Sequence, residues 1–139
     1  MIEKDILQYL QGISALTTKL GGVNKVVAIQ APSGLAMPWL IIEPSGGTRK
    51  RISANKLQEF NSVRVSVDCG AAQLAQGRAA MELTRDALEN LRGTLGDSKD
   101  IYIECGAISG YAGLYGAHRF SLTCDCKFTD DWVKKIVIE

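Results

Sequence analysis

The chain has 139 residues, the size of one domain at the usual ~100–200 residues, which excludes a multidomain machine. Apolar residues make up 46%, charged residues 22% and aromatics 6%, a globular composition that argues against disorder and fibrous repeats. Lys plus Arg number 16 against 15 for Asp plus Glu, a net charge of +1. No global field therefore draws the chain to nucleic acid or an anionic membrane, and only local patches can. Apolar runs such as Trp39 to Ile42 fall far short of the ~18–20 residues that span a bilayer. The opening Met1-Ile2-Glu3-Lys4-Asp5 carries acids where a secretory leader carries only bases, so cytoplasmic synthesis is expected.

Ile2, Ile6, Tyr9, Leu10, Ile13 and Leu16 have helical spacing, with Glu3 and Asp5 where the helix dipole favours negative charge, which predicts one helix over 2–19 closed by Gly21-Gly22. Val26, Val27 and Ile29 predict a short strand before the turn residues Ala31-Pro32-Ser33-Gly34. Trp39 to Glu43 predicts a strand covered on both faces and stopped by Pro44. Residues 45–58 hold two adjacent glycines and the basic Arg49, Lys50, Arg51 and Lys56, and read as an exposed arm or long hairpin loop. Val63, Val65, Val67 and Cys69 alternate with Arg64, Ser66 and Asp68, a half-buried strand.

From Ala71 to about Leu95, Leu74, Met81, Leu88 and Leu95, with Gly77, Thr84 and Leu91 between them, form one stripe of a long amphipathic helix. Ile101, Ile103 and Cys105 predict a strand that fades into a Gly/Tyr loop over 106–116, which contains Tyr111 and Tyr115. Phe120, Leu122, Cys124, Cys126 and Phe128 predict the last strand. The tail 129–139, with Trp132, Val133 and Ile136, is too apolar to be solvated and is expected to dock on its own domain or on a neighbouring chain. The expected fold is α+β: a mostly antiparallel sheet of about four to five strands with two helices, ordered α-β-β-β-α-β-β, with residues 1–128 as one domain.

Four cysteines invite a zinc or disulfide reading. The only close pair, Cys124-x-Cys126, lies within a predicted strand and not on a turn, and Cys69, Cys105, Cys124 and Cys126 all fall on the apolar phase of their strands. They read as small core residues, so no metal is expected. The single histidine, His118, is in phase with Phe120 and Leu122 and reads as a strand-end residue, not the base of a Cys–His pair. Asp130-Asp131 suits a turn or cap. With no nucleophile elbow, phosphate loop or zinc-protease motif, no catalytic residue and no cofactor is expected. The run Arg49, Lys50, Arg51 and Lys56 lacks interleaved aromatics and so divides between a solvated loop and a docking arm.

The chain resembles the tail terminator (tail completion) proteins of long-tailed bacteriophages and prophages. The resemblance rests on the opening helix Ile2–Leu16 with Ala15-Leu16-Thr17, and on the stretch from Val27 through Ala31-Pro32-Ser33-Gly34 and Pro38-Trp39 to Ile42. It continues in Val63–Cys69, Gln73–Leu91 and Arg119–Phe128, while the apolar tail from Trp132 departs from the family pattern. It implies a structural virion protein of the tail-neck region, assembled in the host cytoplasm. Such a protein caps the tail tube as a homo-hexameric ring, stops polymerisation and presents the surface that joins the head. The implied partners are its own copies, the tail tube protein and a head-side connector, with DNA only passing the channel and no membrane. In such a ring the sheet would border the channel. The arm with Arg49, Lys50, Arg51 and Lys56 and the loop with Tyr111 and Tyr115 would reach adjacent rings, and Trp132, Val133 and Ile136 would serve a subunit interface. Alternatives are another neck or head-closure connector subunit, a small cytosolic α+β binding module, or a cysteine-dependent enzyme.

Overall fold

A computed structural model describes residues 2–28, 36–53, 56–96, 98–112 and 118–131, with only the backbone course given for 47–53, 56–60, 111, 112, 130 and 131. The elements in chain order are α1 (Ile2–Gln11), α2 (Ser14–Leu20), a single 3-10 turn (Val23–Lys25), β1 (Val26–Ala28), β2 (Trp39–Ser53), β3 (Lys56–Ala71), α3 (Leu74–Leu88), β4 (Arg92–Leu95), β5 (Ser98–Cys105), β6 (Ser109–Ala112) and β7 (His118–Asp131). The class is α+β, as expected, but the sheet has seven strands in the order β1-β2-β3-β7-β5-β4, with β6 also on β7. It is mixed, because β1 runs parallel to β2 while the other pairings are antiparallel. There are three α-helices among the described residues, not two.

The single opening helix expected over 2–19 is two helices. Ile13 is extended, at φ −91° and ψ 102°, and the Gly12 N–H is shared between the carbonyls of Gln8 and Tyr9. Glycine weakens the helix at that point. The break lets Ile2, Ile6 and Leu10 on α1 and Leu16 and Leu20 on α2 all reach the core. Gly21 then closes α2 in the left-handed conformation at φ 93°, its N–H on the Thr17 carbonyl, as expected of a glycine after a helix.

Pro44 does not stop β2. Among the described residues β1 pairs with Leu40, Ile41 and Ile42 of β2, so the donor missing at Pro44 breaks no described ladder bond on that side. A bulge between Pro44 and Gly46 absorbs the irregularity, and β2 pairs with β3 as far as Ser53 against Lys56. The segment 45–58, expected to be an arm or loop, is therefore mostly paired strand, the far half of a long β-hairpin. The long helix also ends earlier than its stripe suggests, at Leu88. Asn90 takes φ 59°, its N–H donates to the Ile103 carbonyl, and Ile103 donates to Leu91. These bonds turn the chain into β4, inside the span that the stripe predicts as helix. Within the stripe, Gly77, Met81, Thr84 and Leu88 are buried, whereas Leu74 is 53% exposed. The Gly/Tyr loop likewise contains a strand, β6, paired with β7 through Tyr111 against Arg119.

One sheet face is apolar. Leu40 and Ile42, Val65, Val67 and Cys69, Leu122, Cys124 and Cys126, and Ile103 are all buried there in matching register, in one cluster with α1, α2 and α3. Each large aliphatic side chain so buried contributes roughly 1.5–3 kcal/mol. A polar pair lies inside the protein: the Ser98 hydroxyl donates to Asp5 Oδ2 at 2.6 Å, joining α1 to the start of β5. Ser98 is fully buried and Asp5 nearly so. Asp5→Ala removes the acceptor and leaves that hydroxyl buried, an expected loss of about 1–3 kcal/mol, read as a lower urea midpoint at unchanged slope.

Candidate interaction surface

The second sheet face is made by the residues that alternate with those of the core. Its rows follow from register: Trp39, Gly70 and Arg119; Ile41, Asp68 and Ser121; Glu43, Ser66 and Thr123; Arg64, Asp125 and Glu104; Ser62, Lys127 and Tyr102. Short hydroxyl side chains fill the middle of the face, and charges of both signs surround them.

Its cations are largely engaged. Arg64 Nε lies 3.3 Å from Asp125 Oδ1, directly across the strands, although both side chains are well exposed. Such a pair adds at most ~1 kcal/mol, and its main effect is to cancel charge locally. Arg119 stacks its guanidinium 5.1 Å from the Trp39 ring centre. Gly70 between them makes this possible, since a Cβ there would stand 2.5 Å from the indole. At the other border Arg92 stacks 4.5 Å from the Tyr102 ring. Hydrogen bonding to Glu104 holds the Tyr102 phenol above its ordinary value. With acidic Glu43, Asp68, Asp125 and Glu104 set against Arg64, Arg119 and Lys127, the face has no excess of positive charge with which to grip phosphate.

Of the residues singled out in the sequence, those described occupy the two ends of the sheet. Arg49, Lys50 and Arg51 sit on the far half of β2, in register with Asn61, Phe60 and Glu59, and Lys56 opens β3 opposite Ser53. Tyr111 is on β6, opposite Arg119 near the start of β7, whereas Glu59 pairs with Asp130 near its end. At ~3.3 Å per residue, the basic hairpin end and the β6 end are about 35 Å apart. Tyr115, Trp132, Val133 and Ile136 lie outside the described residues. The Arg64–Asp125 and Trp39–Arg119 contacts are not legible in the sequence. Its alternation placed these residues on one face, but only register shows which of them meet.

The groups that suggested chemistry are distributed as follows. Cys69, Cys124 and Cys126 are buried and Cys105 is half-buried. Burial pushes the Cys69 and Cys126 thiols up to about 12, the opposite of what a thiolate nucleophile requires. His118 is half-buried and opposite Ala71, two residues along β3 from the buried Cys69, and it lies six residues from Cys124 on its own strand, about 20 Å away. Among the described residues no three His, Cys, Asp or Glu side chains converge as a metal-ligand set. No helix of the described residues is long and apolar enough to cross a membrane. An open groove of about 710 Å³ between α2 and the start of α3 is lined by Ser14, Ala15, Thr18, Lys19, Gln73, Ala75 and Gln76.

No protein-family model matches the chain, and no curated protein matches it. Among solved structures, a chain of a particle described as "Virion of native gene transfer agent (GTA) particle" shares the fold, with a TM-score of 0.70 over 92% of this chain and 94% of that one, at 17% sequence identity.

Proposed function

We propose that this chain is a structural subunit of a phage-like particle that assembles into a ring, caps the tail tube, terminates its polymerisation and offers the surface that joins the head. The observation that carries this reading is the fold likeness to a chain of the gene transfer agent virion over nearly the whole length of both. The arrangement of the surface supports it. Stacked rings grow through unlike faces until a subunit matches the tube on one side and differs on the other. A subunit with distinct contact elements at opposite ends of its sheet, a basic hairpin at one and β6 at the other, meets that requirement. The polar sheet face, with its paired cations and small hydroxyls, suits a channel wall along which DNA slides without being held.

The test is assembly. The purified chain is expected to form a hexamer near 90 kDa, six copies of 15.0 kDa, by mass photometry, and to limit the length of tubes grown from the tail tube protein of the same particle. Replacing Arg49, Lys50, Arg51 and Lys56 by alanine leaves the hairpin backbone in place and is expected to release tube length while the ring persists. Tubes of normal length with that variant would remove the docking role of the basic end. A monomer that neither forms rings nor affects tubes would remove the reading itself, and a ring that binds only the head-side connector would reassign it to head closure.

A further inference from the structure

We propose that Cys105 and Cys124 form a redox-active pair that closes into a cross-strand disulfide by exchange with a low-molecular-weight disulfide. The inference is independent of the assembly reading. The two residues are directly opposite in the β5–β7 ladder, with their Sγ atoms 2.9 Å apart and both thiols free. Their position in the ladder is favourable. Gly106 N–H donates to the Thr123 carbonyl at 2.9 Å, which marks 106 and 123 as a hydrogen-bonded pair and therefore 105 and 124 as a non-hydrogen-bonded one. In such pairs the Cα atoms approach to about 4.5 Å and the side chains are closest, within the span a disulfide bridges. The Cys105 N–H accordingly points away from β7 and donates to Glu89 Oε2 at 3.1 Å, which fixes the backbone from the other side through the end of α3.

The two thiols have different roles. Cys105 is half-buried beside the exposed Gly106 and Ala107, so a small disulfide can reach it, whereas Cys124 is fully buried. The hydrogen bond to Cys105, and then burial, hold the Cys124 thiol up in its protonated form. In the first step Cys105 thiolate attacks one sulfur of RSSR, forming the mixed disulfide and expelling RS⁻. In the second, Cys124 gives its proton to solvent base or to that RS⁻, its sulfur attacks Cys105 Sγ, and the second RS⁻ leaves. The two cysteines are oxidised by two electrons and RSSR is reduced to two RSH. The bond encloses residues 106–123 and ties β5 to the middle of β7.

The test uses the full reduced chain with bis(2-hydroxyethyl) disulfide at pH 8. The expected product is a protein two hydrogens lighter that has lost two of its four thiols. Tryptic mapping is expected to join the peptide carrying Cys105 to the one carrying Cys124, with the same link in Cys126→Ala, and Cys105→Ser is expected to lose no pair. A persistent mixed disulfide on Cys105, a link to Cys126 or Cys69, or four unreacted thiols would each overturn the proposal. Cys124 and Cys126 share the tryptic peptide Phe120–Lys127, so the Cys126→Ala map, in which Cys124 is the one thiol left on that peptide, is decisive even if the serine variant folds poorly.

Discussion

Phe120→Ala is expected to lower the unfolding free energy by about 3–5 kcal/mol, as for other buried aromatics. The ring is 2% exposed and fills the space between two glycines of different elements. A Cβ on Gly77 of α3 would stand 2.5 Å from Phe120 Cε2, and one on Gly110 of β6 would stand 3.0 Å from Cε1. The ring thus joins helix, β7 and β6, and the absence of side chains on its flanks sets how closely α3 approaches the sheet. Gly77→Val presses a branched side chain into that ring and is expected to cost about 1–3 kcal/mol. The two changes share one space, so the double variant is expected to lose less than the sum by about 0.5–3 kcal/mol. Urea unfolding of the four proteins measures this, and strict additivity would show that the ring does not set the helix position.

The second large effect is alkaline. Cys69 and Cys126 have their thiols raised from 9.0 to about 12 by burial. Below pH 9 both states hold these protons and stability is complete. Between pH 9 and 12 the unfolded chain releases them while the folded chain keeps them. The unfolded state then binds fewer protons and unfolding becomes easier as pH rises. Each thiol accounts for on the order of 4 kcal/mol across that window, and about half of it by pH 10.5. Under reducing conditions, the fall in unfolding free energy from pH 8 to pH 10.5 is expected to be markedly smaller in Cys69→Ala/Cys126→Ala than in the wild type. Equal falls would mean that other groups carry the pH dependence.

Much of this arrangement is legible without coordinates wherever one face is buried and its period is regular. Val63 to Cys69 and Phe120 to Phe128 alternate cleanly, and Gly77, Met81, Thr84 and Leu88 share a stripe, so the central strands and α3 follow from their pattern. The misreadings have local causes. Leu91 and Leu95 continue the stripe of α3, although the chain has already turned at Asn90 into the four-residue β4, which is too short and too exposed to show a period of its own. Pro44 marks a strand end by composition, yet the strand continues, paired with β3 through the bulge between Pro44 and Gly46. The four cysteines declare their core phase in sequence. That Cys105 faces Cys124 and not Cys126 depends on register between strands 19 residues apart, which local pattern does not encode.

Pro44 and the bulge beside it bear on how the subunit behaves before it meets any neighbour. An open strand border with a continuous row of donors is a template on which other chains can stack indefinitely. A missing donor at Pro44 and a kink at Ser45 interrupt that row soon after β1 ends. A strand that runs the full length of this border needs a matching irregularity, so these two residues restrict which partner can join it there.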